Sequence, residues 1–263
     1  MLHHSIISRT TEGGKRILPV SENSKIDWLE GGKTLNPILG CTKVSAGCQS
    51  CYAARFASRG LTPNHRAIAK GGEWTGKIRY AWSQLDKPLH WRKPRRIFLC
   101  SMFDLFHDRV GLSEILRVVA RVAECPQHEF VVLTKRPWRL DMQCGLHVIE
   151  VLPENLTVGV SVENHDVRDR IDILRKVPAT RRIISFEPLI GDVGKLDLDG
   201  IHGVIVGGET GPKARPMHPD WVRRIRDDCA DAGVPFWFKS WGSASGFKGD
   251  VLDGKRHKEW CKQ

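Results

Sequence analysis

Long hydrophobic runs are absent from this sequence. No window approaches the ~18 consecutive apolar residues that a membrane-spanning helix needs, and the start, MLHHSIISRTTEGGKR, lacks the apolar stretch of a secretory signal peptide. These two absences predict a cytoplasmic protein with no membrane partner.

Acidic residues are the scarcer charged type. The chain has 30 Asp plus Glu against 41 Lys plus Arg, a formal net charge of +11. This balance favours a polyanionic partner such as nucleic acid, although many basic proteins are merely soluble. Two segments, HWRKPRR (90–96) and TKRPWR (134–139), interleave tryptophan with arginine. They fit base stacking and phosphate contacts, or equally a solvated basic face.

No G-x-G-x-x-G motif opens a predicted helix, which argues against a doubly wound dinucleotide-binding sheet. Short apolar runs rich in β-branched and aromatic residues instead predict strands within 96–102, 129–135, 155–163, 181–189, 202–209 and 234–241. A further strand is expected just before Cys41. Helix-like stretches follow at 111–125, 164–177 and 218–233, with Ser113 and Asp220 near the starts of the first and last. The alternation predicts an α/β fold, a partial or complete parallel (βα) barrel.

The predicted barrel domain covers residues 26–242, with an N-terminal extension over 1–25 and a C-terminal tail over 243–263. Neither end has a sustained period, and no internal repeat is present. The long connection over 63–96 is basic and contains tryptophan. It fits a lid, a substrate surface or a helix packed on the barrel.

Polar residues follow almost every predicted strand. Because the carboxyl ends of parallel strands meet at one edge of a sheet, these residues predict a lined cavity there. In chain order they are Asp104, His107 and Asp108; Thr134, Lys135 and Arg136; Ser161, Glu163 and Asn164; Ser185 and Glu187; Glu209, Lys213 and Arg215; and Lys239.

Cysteine is scattered except in one short segment. We expect five isolated cysteines to pack as small hydrophobes: Cys100, Cys125, Cys144, Cys229 and Cys261. The other three, Cys41, Cys48 and Cys51, have the spacing C-x6-C-x2-C. A structural zinc site would need a fourth ligand such as His65, and a thioredoxin-like pair would leave Cys41 unexplained. Three thiolates also fit a four-iron four-sulfur cluster that keeps one iron open.

The cysteine segment resembles the three-cysteine loop of the radical S-adenosylmethionine (SAM) superfamily, where the commonest spacing is C-x3-C-x2-C. More closely, the chain is similar to a phage and prophage family known by its three-cysteine motif, and more distantly to proteins like spore photoproduct lyase. The likeness covers roughly residues 26–242. It lies in the ordered segments NPILGCTKVSAGCQSCYAARFASR, SMFDLFH, LTKRP, SVEN, FEPL, GGETGPKARPMHPDWVR and FKSWG.

This resemblance implies a radical SAM barrel and an enzyme. A [4Fe-4S] cluster would be held by Cys41, Cys48 and Cys51, with SAM on its open iron and an external electron donor. Reductive cleavage of SAM would give a 5′-deoxyadenosyl radical that takes hydrogen from the substrate. The phage setting implies modification or repair of a nucleic acid or nucleotide.

The resemblance also assigns roles to other residues. Those that would bind SAM are Tyr52 beside the adenine, Ser101 or Asp104 at the methionine amino group, and Ser161 and Glu163 at the ribose or methionine. The candidates for catalysis are Glu187, Glu209 and Lys239. For Glu187, the alternative to a catalytic role is an ion pair with Lys239 or Arg215 at the barrel mouth.

Two other functions remain open from the sequence. One is a nucleic-acid-binding protein without enzymatic activity, whose cysteines bind zinc or an iron-sulfur cluster. The other is a radical SAM enzyme that acts on a protein or a small metabolite. No second set of three cysteines is present, so no auxiliary cluster is expected. The sequence predicts no particular oligomeric state.

Overall fold

The main sheet has seven parallel strands that lie side by side in chain order. The structure is a computed structural model that describes residues 24, 26–145 and 151–261. The strands are β1 (Lys33–Leu35), β2 (Arg96–Leu99), β3 (Glu129–Thr134), β4 (Leu156–Ser161), β5 (Arg181–Phe186), β6 (Gly203–Gly207) and β7 (Phe236–Ser240). Within these described ranges β1 and β7 do not pair, so the sheet is an open, partial parallel βα barrel. This confirms the predicted fold class.

Within the described residues, six α-helices lie in the connections between the strands. They are α1 (Tyr52–Ala57), α2 (Pro63–Ile68), α3 (Leu112–Ala123), α4 (Pro137–Gly145), α5 (Asp169–Lys176) and α6 (Pro219–Ala232). The three predicted helical stretches contain α3, α5 and α6. Ser113 and Asp220 lie in first turns, while the N-caps are Gly111 and His218, whose ring nitrogen accepts from the Asp220 N–H at 3.2 Å. Between β5 and β6 the chain crosses back without a helix.

Residues of the strands alternate between two apolar cores, as the two-residue period of a strand requires. One set, including Val132, Val158 and Ile184, packs against the helices on the outer face. The other set faces the inside of the barrel and consists of Phe98, Val131, Ile183, Ile205 and Trp237. Burial on both faces explains why the strands are almost continuously apolar in sequence.

The amino-terminal edge of the barrel is closed by residues from both ends of the described chain. Trp28 stacks on Trp260 with ring centroids 5.6 Å apart, and both belong to the inner core. The tail forms a small hairpin, Val251–Leu252 with Lys255–Arg256, and then reaches this edge. The amino edge of the described sheet is therefore covered. The predicted extension over 1–25 lies outside the described residues, apart from residue 24.

Several short elements build the connection from β1 to β2. Ile38–Leu39 pairs antiparallel with Arg79–Tyr80, and Ala69–Lys70 pairs with Glu73–Trp74. The strand directly before Cys41 is thus not part of the barrel sheet, because β1 already ends at Leu35. The 3-10 turns are Asp27–Leu29, Ala46–Cys48, Trp82–Gln84, Lys87–His90 and His165–Val167. Among the described helices, none has the length and apolar character to cross a membrane.

Candidate functional site at the cysteine loop

The cysteine loop, residues 41–51, lies at the carboxyl edge of the barrel between β1 and α1. It contains one 3-10 turn, and Cys51 is the N-cap of α1. The thiols of Cys41, Cys48 and Cys51 are free and half-buried, so a ligand can reach them. The five isolated cysteines are also free, and all are buried except Cys144, which packs against the outer core. This confirms their predicted packing role.

The Cys41 thiol is held in its protonated form. Burial, and then the nearby Asp104 carboxylate, raise its pKa to about 12, and the Arg136 guanidinium opposes this only in part. The thiol donates to the Thr42 carbonyl at 3.4 Å. A thiol of this kind is a poor nucleophile at neutral pH. It becomes a thiolate when a bound metal compensates the charge, so its chemistry fits a ligand better than a redox partner.

The described residues contain no preformed site for a single metal ion. Across the described residues, no group of three or more His, Cys, Asp or Glu side chains converges as ligands for one ion. The proposed zinc ligand His65 instead packs edge-on against Phe56, with ring centroids 5.8 Å apart. A four-iron cluster is larger than one ion and takes its three cysteine sulfurs at separate corners. Three accessible thiols on one loop suit that requirement.

Three carboxylates that follow barrel strands support the cysteine loop, and the first is Asp104. Its carboxylate accepts from Thr134 Oγ1 at 2.7 Å and from the Lys135 N–H at 3.0 Å, and it pairs with Arg136 at 3.3 Å. Arg136 then donates to the carbonyl and the hydroxyl of Thr42, at 3.1 and 2.9 Å. Asp104 therefore acts through Arg136 to fix the backbone next to Cys41.

The second carboxylate is Glu163, which follows β4 and is fully buried. One of its oxygens accepts from Ser45 Oγ at 2.7 Å, and the other pairs with Arg170 at 3.0 Å. Lys135 adds a weaker contact at 3.6 Å. A Cβ on Gly47 would lie 2.2 Å from Glu163 Cγ, so only glycine lets the loop pack this closely. Glu163 thus supports the middle of the loop.

The third carboxylate is Glu209, after β6. Arg215 binds it with two guanidinium nitrogens, at 2.9 and 2.6 Å, and with its backbone N–H at 2.8 Å. The same guanidinium donates to the Ala46 carbonyl at 2.9 Å. Burial alone would raise the pKa of Glu209, but the hydrogen bonds and charge of Arg215 outweigh it and lower the pKa. The charged pair is therefore a stable clamp on the loop.

Helix α1 connects the loop to the opposite side of the barrel mouth. Arg55 donates to the Thr210 carbonyl, and its guanidinium fills the space beside Gly211, whose φ of +110° favours glycine. Tyr52 donates from its hydroxyl to the Ser101 carbonyl at 2.8 Å. The start of α1 thus spans from the end of β2 to the loop after β6, and its position follows that of the cysteines.

The remaining polar groups at the mouth are more accessible. Glu187 pairs with Lys239 at 2.6 Å and accepts from Ser185 Oγ at 3.3 Å. Their side chains are 18% and 34% exposed for Glu187 and Lys239, unlike the three buried carboxylates. Of the two partners considered for Glu187, the structure has Lys239, while Arg215 belongs to Glu209. Ser101 shares hydrogen bonds with Asn36, at 3.1 and 3.3 Å.

The structure brings every predicted site residue to the carboxyl edge, but it divides them into two groups. Asp104, Glu163 and Glu209 face the cysteine loop, whereas Tyr52, Ser101, Ser161, Glu187 and Lys239 lie around the mouth. The sequence did not single out Asn36, Thr42, Ser45 or Arg170. A signal existed for Arg170, because it is a charged residue next to Ile171 on the buried side of α5.

The two basic segments lie at opposite edges of the sheet. Residues 90–96 lead into β2 at the amino edge, whereas 134–139 follow β3 at the carboxyl edge. In the second segment, Arg136 holds the cysteine loop and Arg139 donates to the carbonyls of His107 and Val110. The two segments therefore do not form one continuous surface.

Together the fold and site define a class. It is an open parallel βα barrel in which the connection after β1 places a three-cysteine loop at the mouth, and carboxylates from three strand ends support this loop. The chain belongs to the family described as "Protein of unknown function (DUF5131)", which matches residues 23–261. No curated protein matches the chain. Among solved structures it is similar to a cysteine-to-serine mutant of spore photoproduct lyase, with 14% identity and a TM-score of 0.45. That likeness covers 74% of this chain and 59% of the other, so this chain spans less than two thirds of its length.

Proposed function

We propose that the protein is a radical SAM iron-sulfur enzyme that modifies or repairs a nucleic acid or nucleotide, in the cytoplasm of a phage-infected or prophage-bearing cell. The observation that supports it is the cysteine loop: three reachable thiols, tied to the ends of three strands, above an open barrel mouth. Parallel βα barrels hold their ligands at this edge.

In this proposal Cys41, Cys48 and Cys51 hold a [4Fe-4S] cluster. When bound, the cluster would supply the single electron, taken from an external donor, that reduces SAM to methionine and a 5′-deoxyadenosyl radical with loss of one carbon–sulfur bond. Asp104, Glu163 and Glu209 are positioning residues, because their oxygens are bound by Arg136, Ser45 and Arg215, which contact or belong to the cysteine loop.

Residues around the mouth bind SAM and substrate. The carbonyl and hydroxyl oxygens near Ser101 accept from the methionine ammonium group, and Lys135 or Lys239 donates to the carboxylate. Tyr52, which is 51% exposed, lies against the adenine, and Ser161 binds the ribose. Glu187 and Lys239 form the ion pair that is placed to meet the substrate.

Anaerobic reconstitution tests the reaction class directly. The purified chain should take up about four irons, as a single [4Fe-4S] cluster requires. With dithionite and SAM it should then release 5′-deoxyadenosine. Stoichiometric zinc without 5′-deoxyadenosine would contradict the proposal and favour the non-enzymatic metal-binding protein. Adding DNA, RNA or peptide then identifies the substrate class by which one stimulates 5′-deoxyadenosine formation.

Substitution of single cysteines tests the ligand assignment. Alanine at Cys41, Cys48 or Cys51 should abolish iron binding, because two thiolates do not hold the cluster. Cys144→Ala is the matched control, since this free thiol packs against the outer core away from the loop. It should keep the iron content and visible absorption of the parent protein. Equal iron loss in all four variants would refute the assignment.

A further inference from the structure

The segment that follows the cysteine loop carries an unusual concentration of positive charge. Residues 52–80 contain six Lys or Arg and one acidic residue, Glu73, whereas the whole chain has 41 against 30. Glu73 pairs with Lys43 of the cysteine loop at 2.6 Å. We call the remaining exposed cations of this segment the insert face: Arg59, Arg66, Lys70, Lys77 and Arg79. Within the described chain, no acidic side chain forms a salt bridge with any of them.

The segment that carries the insert face packs directly against the start of the cysteine loop. Its helices and hairpin share a small core that includes Ala53, Ile68 and Met102. A Cβ on Gly40 would lie 2.1 Å from the Lys77 carbonyl, and one on Gly76 would lie 3.9 Å from Thr42 Cγ2. The backbone of the segment therefore runs directly against the start of the loop. The segment that carries the cations is therefore contiguous with the cysteine loop.

Exposed rings accompany the charges. Phe56 and Tyr80 are 39% and 41% exposed. The ring of Tyr80 stacks on Trp82 with centroids 5.0 Å apart, and Arg117 covers Trp82 at 4.5 Å. This support fixes the Tyr80 ring while leaving much of it open. Aromatic rings between cations bind single-stranded nucleic acid, because unpaired bases stack on the rings while the phosphates meet the cations. An acidic protein would use the charges but not the open rings.

We propose that the insert face docks single-stranded nucleic acid and directs it across the cysteine loop into the barrel mouth. The proposal deepens the proposed function and rests on it for the fate of the bound strand. The docking itself depends only on the insert face and on the rings of Phe56 and Tyr80.

Fluorescence anisotropy with labelled single-stranded DNA and RNA oligonucleotides, titrated over a range of salt concentrations, tests the docking. The variant Arg59→Glu/Lys70→Glu changes one Arg and one Lys on the insert face. The variant Arg92→Glu/Lys93→Glu makes the same change in charge at exposed residues of the opposite edge. The first should bind about tenfold more weakly or worse, with a salt slope shallower by about 1.4, the value for two lost phosphate contacts on a single strand. The second should stay within about threefold of the parent protein.

A third variant, Tyr80→Ala, separates stacking from charge. It should weaken binding by about fivefold or more at every salt concentration while leaving the salt slope unchanged. Thermal unfolding followed by circular dichroism shows whether each variant is folded. Equal weakening in the two double variants, or no binding of either oligonucleotide by the parent protein, would overturn the proposal. So would displacement of the oligonucleotide by polyglutamate at equal charge concentration, which would identify a site for an acidic protein.

The outcomes also separate this proposal from the proposed reaction. If the insert variants bind as the parent does while the parent still releases 5′-deoxyadenosine, the docking surface is wrong and the reaction class stands. If binding maps to the insert face but the cysteine variants keep their metal content, the docking surface stands and the radical chemistry is wrong.

Discussion

Asp104 and Arg136 form a buried ion pair beneath the cysteine loop, with 6% and 2% of the two residues exposed. Asp104→Asn would leave the Arg136 charge without its main partner, which costs about 3–5 kcal/mol when a buried pair is broken. It should also loosen Thr42 and lower iron retention after reconstitution. Urea unfolding and iron content measure the two effects.

Asp108→Asn is the control for this substitution. Asp108 also faces Arg136, at 3.5 Å, but its side chain is 62% exposed. Its loss should therefore cost less than about 1 kcal/mol and leave the iron content unchanged. Equal effects of the two substitutions would show that Arg136 is not held mainly by Asp104.

Glu209 gives a prediction for pH. Its pKa is lowered from an ordinary value of 4.5 in the folded chain, so the ion pair with Arg215 contributes fully above that value and is lost as the pH falls through the folded pKa. Glu209→Gln should reduce the free energy of unfolding by about 2–3 kcal/mol at about pH 7. The deficit relative to the parent should shrink by about pH 3. The exposed pair of Glu124 with Arg121 provides the control, since Glu124→Gln should cost less than about 1 kcal/mol at either pH.

At the scale of elements, the cysteine loop depends on the absence of a side chain at Gly47. Gly47→Ala would place a Cβ 2.2 Å from Glu163 Cγ, inside contact distance. We expect a loss of about 1–3 kcal/mol, typical of overpacking, and reduced iron retention although every cysteine is present. Gly145→Ala meets nothing within 4 Å in the described chain and should lower neither quantity. Full iron retention in Gly47→Ala would show that the loop is not seated on Glu163.

The elements differ in how far the sequence predicts them. The six apolar runs predicted barrel strands correctly, because burial on both faces leaves a continuous apolar run within each segment. The polar residues after these runs were also placed at one edge. The support that Asp104, Glu163 and Glu209 give to the cysteine loop was not predictable, because it depends on contacts between distant segments. Arg215 reaches Ala46 across 169 residues, and Ser45 reaches Glu163 across 118.

The six residues between Cys41 and Cys48 show the same limit. In the sequence, the only notable property of this interval is its length, which departs from the commonest radical SAM spacing, C-x3-C-x2-C. In the structure, Thr42 accepts from Arg136, Ala46 accepts from Arg215, and Ser45 and Gly47 both contact Glu163. The longer interval thus provides the contacts that fix the loop, a property that no local pattern in the sequence records.

At the scale of the whole molecule, the cysteine loop and the residues that cover the barrel lie at opposite edges of the sheet. The amino edge is sealed by Trp28, Trp260 and the end of the tail, and the cysteine loop lies at the other edge. Trp260 also lies under Arg96, at 4.1 Å, and donates to Glu129 Oε1 at 2.9 Å. The tail therefore completes the inner core of the described chain, although its sequence has no periodic pattern.

This separation predicts that stability and iron binding can be changed independently. Trp260→Ala should lower the free energy of unfolding by about 2–3 kcal/mol, somewhat less than for a fully buried tryptophan, because the ring is half-buried. The folded variant should still take up the same amount of iron, since Asp104, Glu163 and Glu209, which support the cysteine loop, lie at the other edge. Trp138→Ala, at a residue 42% exposed near the mouth, should lower stability less than Trp260→Ala does. Iron loss in folded Trp260→Ala, measured well below its unfolding midpoint, would show that the two edges are coupled.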